Sequence, residues 1–229
     1  MEEWIMDVTP PASPERLYEA FSASGKALAS GKRLQLLDLL AQGERTVDSL
    51  AKAAGLNLTT ASAQLQILKQ AGFVVTRREG VRIHYRLAGD DVAQLFALLR
   101  KVAERHHSAV PAARDAYLGH DGVAELSREE LLTRVAAGEV VVLDVRPQEE
   151  YHAGHIPGAL SVPLAELADR VGELPQDVDI VVYCRGEYCV LAHDAVRLLA
   201  DRGRRAVRLS DGMLEWRLAD MPVAAEEPT

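Results

Sequence analysis

Apolar positions recur at helical spacing through the first hundred residues. Residues 31–42 (Gly-Lys-Arg-Leu-Gln-Leu-Leu-Asp-Leu-Leu-Ala-Gln) predict an amphipathic helix stopped at Gly43, after a Pro-rich leader (Thr9 to Pro14) and a helical stretch to about Ala29. A helix over Val47–Ala54 closes at Gly55, and Thr59 or Thr60 opens another that runs to Ala71, with Gly72 at its end. On a helical wheel Ala61, Leu65, Leu68 and Gly72 of that last helix share an inward face, leaving Thr59, Thr60, Ser62, Ala63 and Gln66 pointing elsewhere. The pattern then changes to two strand-like arms, residues 73–78 and 81–87, around a Glu79-Gly80 turn.

A stripe of Val92, Leu95, Leu98, Leu99 and Val102 predicts a long helix from Asp91, which Pro111 ends or kinks. Pro111–Gly122 reads as a linker, and Ser127-Arg128-Glu129-Glu130 as a capping box. Beyond it, strands and helices alternate. Strands are expected at Val140–Val145, Leu160–Val162, Ile180–Cys184 and Ala206–Leu209, with helices at Glu149–Ala153, Leu164–Val171 and Tyr188–Ala200 between them. Such alternation indicates a parallel sheet covered on both faces, with its site at the carboxyl ends of the strands. The expected organisation is therefore an α+β winged helix-turn-helix domain (1–110), a linker (111–122) and an α/β parallel-sheet domain (123–229).

Helix, helix, turn, helix and hairpin form a winged helix-turn-helix, and the stretch from Ala54 to Val74 resembles the ArsR-type bacterial repressors over roughly residues 17–105. The resemblance implies binding to a double-stranded DNA operator and pairing of two subunits through terminal helices. Thr59, Thr60, Ser62 and Gln66 then face a major groove, where hydroxyl and amide groups read base edges or phosphates. Arg77, Arg78 and Arg82, with Arg86, make the hairpin basic and suited to phosphate contact. The simpler reading of the same residues is a solvated surface. Metal-sensing ArsR-type proteins carry cysteines on the first helix of the motif; here Glu44–Leu50 contains no thiol, so that metal site is missing. Glu104, His106, His107 and His120 are surface helix-end residues, or alternatively a carboxylate–imidazole metal set.

Charge sharpens the division. Residues 1–120 carry 15 Lys and Arg against 13 Asp and Glu, a net +2, whereas residues 121–229 carry 11 against 21, a net −10. Only the first half suits nucleic acid. No apolar run approaches membrane-spanning length and the opening Met1-Glu2-Glu3-Trp4 is not a secretory leader. Two thiols on one loop, with no distant partner, point to a reducing cytoplasm.

Those thiols carry the candidate chemistry. In Ile-Val-Val-Tyr-Cys-Arg-Gly-Glu-Tyr-Cys (180–189), an apolar strand ends on Cys184, a short loop follows, and a helix begins. A thiol near a helix N-terminus is expected to have a lowered pKa, held by main-chain N–H groups of Arg185 to Cys189. Leu143-Asp144-Val145-Arg146, Glu150-Tyr151, Gly154 to Ala159, the Cys184 loop, Asp211 to Trp216 and Met221-Pro222-Val223 together resemble a rhodanese (sulfurtransferase) domain over roughly residues 123–225. That resemblance implies that Cys184 takes a sulfane sulfur as a persulfide. Arg185 adds charge or is solvated, and Asp144 and Arg146 support the loop, or Arg146 pairs with Glu150. His155 and Trp216 read as scaffold.

The loop departs from the Cys-Arg-x-Gly-x-Arg form of many rhodaneses: the sixth position is Cys189, and Glu187 adds negative charge. Dianionic thiosulfate should bind less well. Position 190 is Val, which excludes a Cys-x5-Arg phosphatase or arsenate-reductase loop. Cys189 can resolve an oxidised or persulfidated Cys184, or fill the first turn of the helix. Cys184, Cys189 and His193 as soft-metal ligands are a further alternative. The function expected is a dimeric transcriptional regulator that senses sulfane sulfur or an oxidant on Cys184, with no cofactor. The alternatives are a working sulfurtransferase and a non-catalytic anion- or partner-binding module.

Overall fold

The computed structural model describes residues 13–119 and 122–225, so most of the Pro-rich leader and His120 lie outside the described residues. Helices α1 (Pro14–Leu28) and α2 (Gly31–Leu40) lead into a two-residue strand β1 (Arg45–Thr46). Helices α3 (Val47–Ala53) and α4 (Leu58–Gln70) form the helix-turn-helix, and β2 (Val74–Glu79) and β3 (Arg82–Leu87) form the wing. All three strands are antiparallel, in the order β1-β3-β2. The expected start of α4 shifts by one or two residues because Asn57, not a threonine, is the cap: its side chain accepts the Thr60 N–H at 2.8 Å. Ala61, Leu65 and Leu68 are fully buried as the wheel requires. Gly72 is not: it is exposed at φ +80°, the left-handed turn that ends α4.

Helix α5 (Asp90–His106) is followed by α6 (Ala109–Leu118), which occupies most of the stretch expected as linker. Pro111 neither kinks α5 nor ends it; it sits in the first turn of α6, where its missing N–H costs no helical bond.

The second half begins with β4 (Glu125–Leu126) and α7 (Arg128–Ala136), the latter opened by the full Ser127–Glu130 capping box. Strand β5 (Val140–Asp144), α8 (Gln148–Ala153), β6 (Leu160–Ser161), α9 (Leu164–Arg170) and a single 3-10 turn follow. Strand β7 (Asp179–Tyr183), α10 (Val190–Asp201), β8 (Ala206–Leu209) and α11 (Met213–Leu218) complete the fold. The five strands are parallel in the order β4-β8-β7-β5-β6. Apolar side chains of β5 and β7 alternate between two cores, one holding Cys184, Cys189 and α10, the other Met213 and Trp216. Leu214 of α11 instead joins the core of the first half, and α11 packs on α5.

Among the described residues no helix is long and apolar enough to cross a membrane.

Candidate functional site

The cysteine loop leaves the carboxyl end of β7, the central strand, and re-enters as α10. Its shape is imposed from below. Met213 and Leu214 N–H groups donate to Cys184 O and Arg185 O, each at 2.9 Å, and Cys189 N–H donates to Gly186 O at 3.0 Å. Gly212 lies so close that a Cβ there would stand 2.2 Å from the Gly186 nitrogen. That neighbour is backbone and cannot swing away. Gly212→Ala is therefore expected to displace the loop and cost about 1–3 kcal/mol, read as a lowered Tm together with altered thiol reactivity.

The two thiols are not equivalent. Cys184 is 2% exposed, and its Sγ turns inward, 3.4 Å from Cys189 O and 3.9 Å from Gly186 O. Burial pushes its thiol well above the ordinary value, and the hydrogen bond and charge of Cys189 add to the rise, against the opposing pull of the Ala192 and Gly186 main chain. The expectation of a depressed Cys184 is thus corrected by burial: strand β7 delivers its Sγ into the core. Cys189, at the N-cap of α10, is the thiol pulled down. Its hydrogen bond with Cys184 is the largest cause, and the main chain of Arg185 and Leu191 and the Arg185 guanidinium add to it against burial.

Cys189 also contributes to the lining of a cavity. A space of about 300 Å3 lies between the halves, lined on one side by Gly186, Tyr188 and Cys189 and on the other by α2 and α5. Asp38 of α2 and Arg100 of α5 stand 3.6 Å apart there, and Arg100 lies over the Tyr188 ring at 4.4 Å. Burial raises the Asp38 pKa, partly opposed by Arg100 and Arg185.

Arg185 does not point at the sulfur. It makes a bidentate pair with Glu150, whose side chain is 1% exposed, with Nη2 to Oε1 at 2.6 Å. Burial works against its charge, but Glu150 holds its pKa above the ordinary range. The same carboxylate accepts from Arg45 Nη2 at 2.6 Å, across from β1 of the DNA-binding half. Arg45 also pairs with Glu149 at 2.5 Å, and Ser49 of α3 donates to Glu149 at 3.0 Å. Gln42, fully buried after α2, donates to Arg185 O at 3.3 Å and accepts from Arg146 at 3.2 Å. We call this set of contacts the latch.

Arg146 and Asp144 are both fully buried and form a direct ion pair at 2.6 Å, so the alternative pairing of Arg146 with Glu150 does not form. Tyr183 Oη donates to Asp144 at 2.5 Å and accepts the Ile156 N–H at 3.1 Å. Arg146 reaches Gly154 O as well, so the pair braces the loop region from beneath. His155 stacks on Tyr151 at 3.7 Å, and Trp216 donates to Pro222 O at 2.8 Å; both are scaffold.

On the other half, Thr59, Thr60 and Ser62 occupy the first turns of α4. Gln66 donates to Tyr85 Oη at 2.9 Å, and Arg77 is paired with Glu44 at 2.6 Å and Glu79 at 2.8 Å. Arg78 bonds Gly80 O at 3.0 Å; Arg82 is exposed, with no side-chain hydrogen bond or ion pair among the described residues. Glu104 pairs with Arg114. No group of three or more His, Cys, Asp or Glu side chains among the described residues is placed to hold a metal ion, the Cys184–Cys189–His193 set included.

Sequence reasoning misses the latch. Gln42 and Arg45 are readable only as a polar step after an amphipathic helix, and nothing local marks a partner a hundred residues away.

Comparison with known proteins completes the picture. Residues 30–76 match the bacterial regulatory protein arsR family, and residues 127–219 match the rhodanese-like domain. The solution structure of the homodimeric winged helix-turn-helix DNA-binding domain Mb0332 from Mycobacterium bovis is 55% identical, covering 44% of this chain and 94% of that one, at a TM-score of 0.40. A sulfurtransferase of Allochromatium vinosum is 34% identical over 107 residues, 46% of this chain and 98% of its own. HTH-type transcriptional regulator Rv0324 of Mycobacterium tuberculosis is 59% identical over 212 residues, 93% of each chain. With both halves matched in one relative of nearly the same extent, the chain belongs to the ArsR family of DNA-binding bacterial regulators and carries a rhodanese-like domain behind its winged helix-turn-helix.

Proposed function

We propose that this regulator reads sulfane sulfur or an oxidant through its Cys184–Cys189 pair and transmits the change to operator DNA. The observation that carries the reading is the latch. Arg185 lies between the two cysteines in sequence, and its backbone and side chain are held by Gln42 and, through Glu150, by Arg45. These residues sit between α2 and α3, next to the helix-turn-helix. A covalent change at either thiol alters the loop that the latch grips. A ligand moves a two-state equilibrium only by its differential affinity for the two states, and the latch is the contact through which a modified loop would favour one of them.

DNA contact is assigned to Thr59, Thr60, Ser62 and Gln66 on α4 and to Arg77, Arg78 and Arg82 on the wing. Arg82→Ala is expected to weaken binding to all sequences alike and to lower the slope of log affinity against log salt by about one. A salt titration by fluorescence anisotropy reads this directly. Two copies are expected to bind together: Leu17, Tyr18 and Phe21 of α1 and Leu95, Leu98 and Val102 of α5 are all at least 42% exposed, apolar surface that a second copy would cover.

The test is a gel shift on operator fragments obtained by in vitro selection, before and after polysulfide treatment, with modification verified by mass spectrometry. The expected result is a changed affinity that the double variant Cys184→Ser, Cys189→Ser abolishes. Unchanged affinity of the fully modified protein rejects sensing. A working sulfurtransferase would instead turn over sulfane sulfur with several donors while its DNA affinity stayed constant.

A further inference from the structure

The cavity between the halves has walls that neither half supplies alone. We propose that it is a binding site for a small neutral molecule with an apolar body and a carboxamide-type head, held without covalent change. The site is separate from the sulfane-sulfur reading, because no thiol reacts in it.

Size and lining set the body of the ligand. Leu34 of α2, Phe96 and Ala103 of α5 and Val110 of α6 line about 300 Å3 opposite Tyr188 of the cysteine loop. That volume is at the small end of ligand pockets, and such a wall favours an apolar ring or short chain. The charged side chains in the wall are Asp38 of α2 and Arg100 of α5. Both belong to the DNA-binding half, so the anchors of the site lie outside the rhodanese-like domain.

Charge and hydrogen bonding set the head group. Asp38 and Arg100 approach only to 3.6 Å, outside hydrogen-bond range, and neither side chain makes a hydrogen bond among the described residues. Arg100 otherwise lies over the rings of Tyr188 and Phe96, at 4.4 and 5.4 Å, with Glu215 3.8 Å away. The pair therefore offers an unfilled acceptor beside unfilled donors, where burial already raises the Asp38 pKa. A carboxamide fills both: its N–H donates to the carboxylate and its C=O accepts from the guanidinium. A carboxylate ligand would face Asp38 and Glu215 against one cation. An ammonium would sit against the charge of Arg100 and accept nothing from it. Because the anchors lie in one half and Tyr188 in the other, an occupant adds contacts across the boundary and stabilises the docked arrangement.

The test titrates the full chain, its thiols kept reduced, with benzamide, benzoate and benzylamine, probes of nearly the same shape that differ in charge. Isothermal titration calorimetry is expected to show saturable benzamide binding with a Kd of about 1 mM or tighter. The other two are expected to bind at least about tenfold more weakly. Ala103→Trp, which fills the cavity from α5, is expected to weaken benzamide at least about tenfold. Asp38→Asn keeps the shape and removes one charge, so benzoate is expected to gain at least about tenfold relative to benzamide. Hydrogen–deuterium exchange is expected to slow on benzamide binding both in α5 and in residues 185–189.

No saturable benzamide binding, equal affinity for the three probes, or protection confined to one half would overturn this assignment. So would an unchanged benzamide affinity in Ala103→Trp; should that variant not fold, the selectivity of Asp38→Asn decides in its place. Each of these outcomes leaves the sulfane-sulfur reading standing, because that reading is tested on modified thiols.

Discussion

Glu150→Ala is expected to lower the stability of the folded chain by about 3–5 kcal/mol, because it removes one partner from a buried set of charges. The side chain is 1% exposed and holds two guanidinium groups, Arg45 at 2.6 Å and Arg185 at 2.6 Å. Arg45 is itself 4% exposed, so removing the carboxylate leaves a buried cation paired with the largely exposed Glu149 instead of a buried partner. Surface pairs such as Arg170 with Glu166 offer a control, because their removal is worth at most about 1 kcal/mol. For a chain of this size each kcal/mol moves Tm by roughly 2–4 °C, so thermal unfolding separates the two cases clearly. Because Glu150 bridges the halves, its loss is also expected to split one unfolding transition into two.

Alkylation at neutral pH is expected to label Cys189 well before Cys184. Only the thiolate reacts, and each pKa unit between two thiols is worth about tenfold in thiolate fraction, reduced to roughly threefold by the lower nucleophilicity of the more acidic sulfur. The hydrogen bond from Cys184 and the influence of Arg185 pull Cys189 down, while burial pushes Cys184 up. Access adds to the difference, since Cys189 lines the cavity. Together these predict the faster rate at Cys189. The sign of the pH dependence follows: the Cys189 rate falls as pH drops through its lowered midpoint, and it levels off at a lower pH than the rate of a free cysteine does. Iodoacetamide labelling with peptide mapping, from pH 5 to 10, measures both. Labelling of Cys184 first would reverse the assignment of the two thiols.

Much of the architecture is legible in local patterns. The Ser127–Glu130 capping box forms as its residue types require, and the apolar face of Ala61, Leu65 and Leu68 lies inward. Local patterns mislead where two signals compete. Asn57 takes the cap because its carbonyl reaches the Thr60 N–H, although the two threonines are also cap-formers. Pro111 marks a helix start, not a break, since it stands three residues into α6. The thiols show a deeper limit. Their spacing indicates a reactive loop, but the direction of each Sγ depends on how β7 sits in the sheet. The latch is of the same kind. Glu150 is a surface-like residue in the sequence, and its burial depends on Arg45 arriving from more than a hundred residues away.

The central claim is that chemistry at the cysteine loop is felt by the DNA-binding helices through the latch. Hydrogen–deuterium exchange of the full chain tests it without knowledge of the operator, comparing reduced protein with protein modified at the loop by polysulfide. The account predicts altered exchange in residues 41–50, which hold Gln42, Arg45 and Ser49, alongside the change in the loop itself. Unaltered exchange across that segment, in protein whose thiols are fully modified, would contradict it.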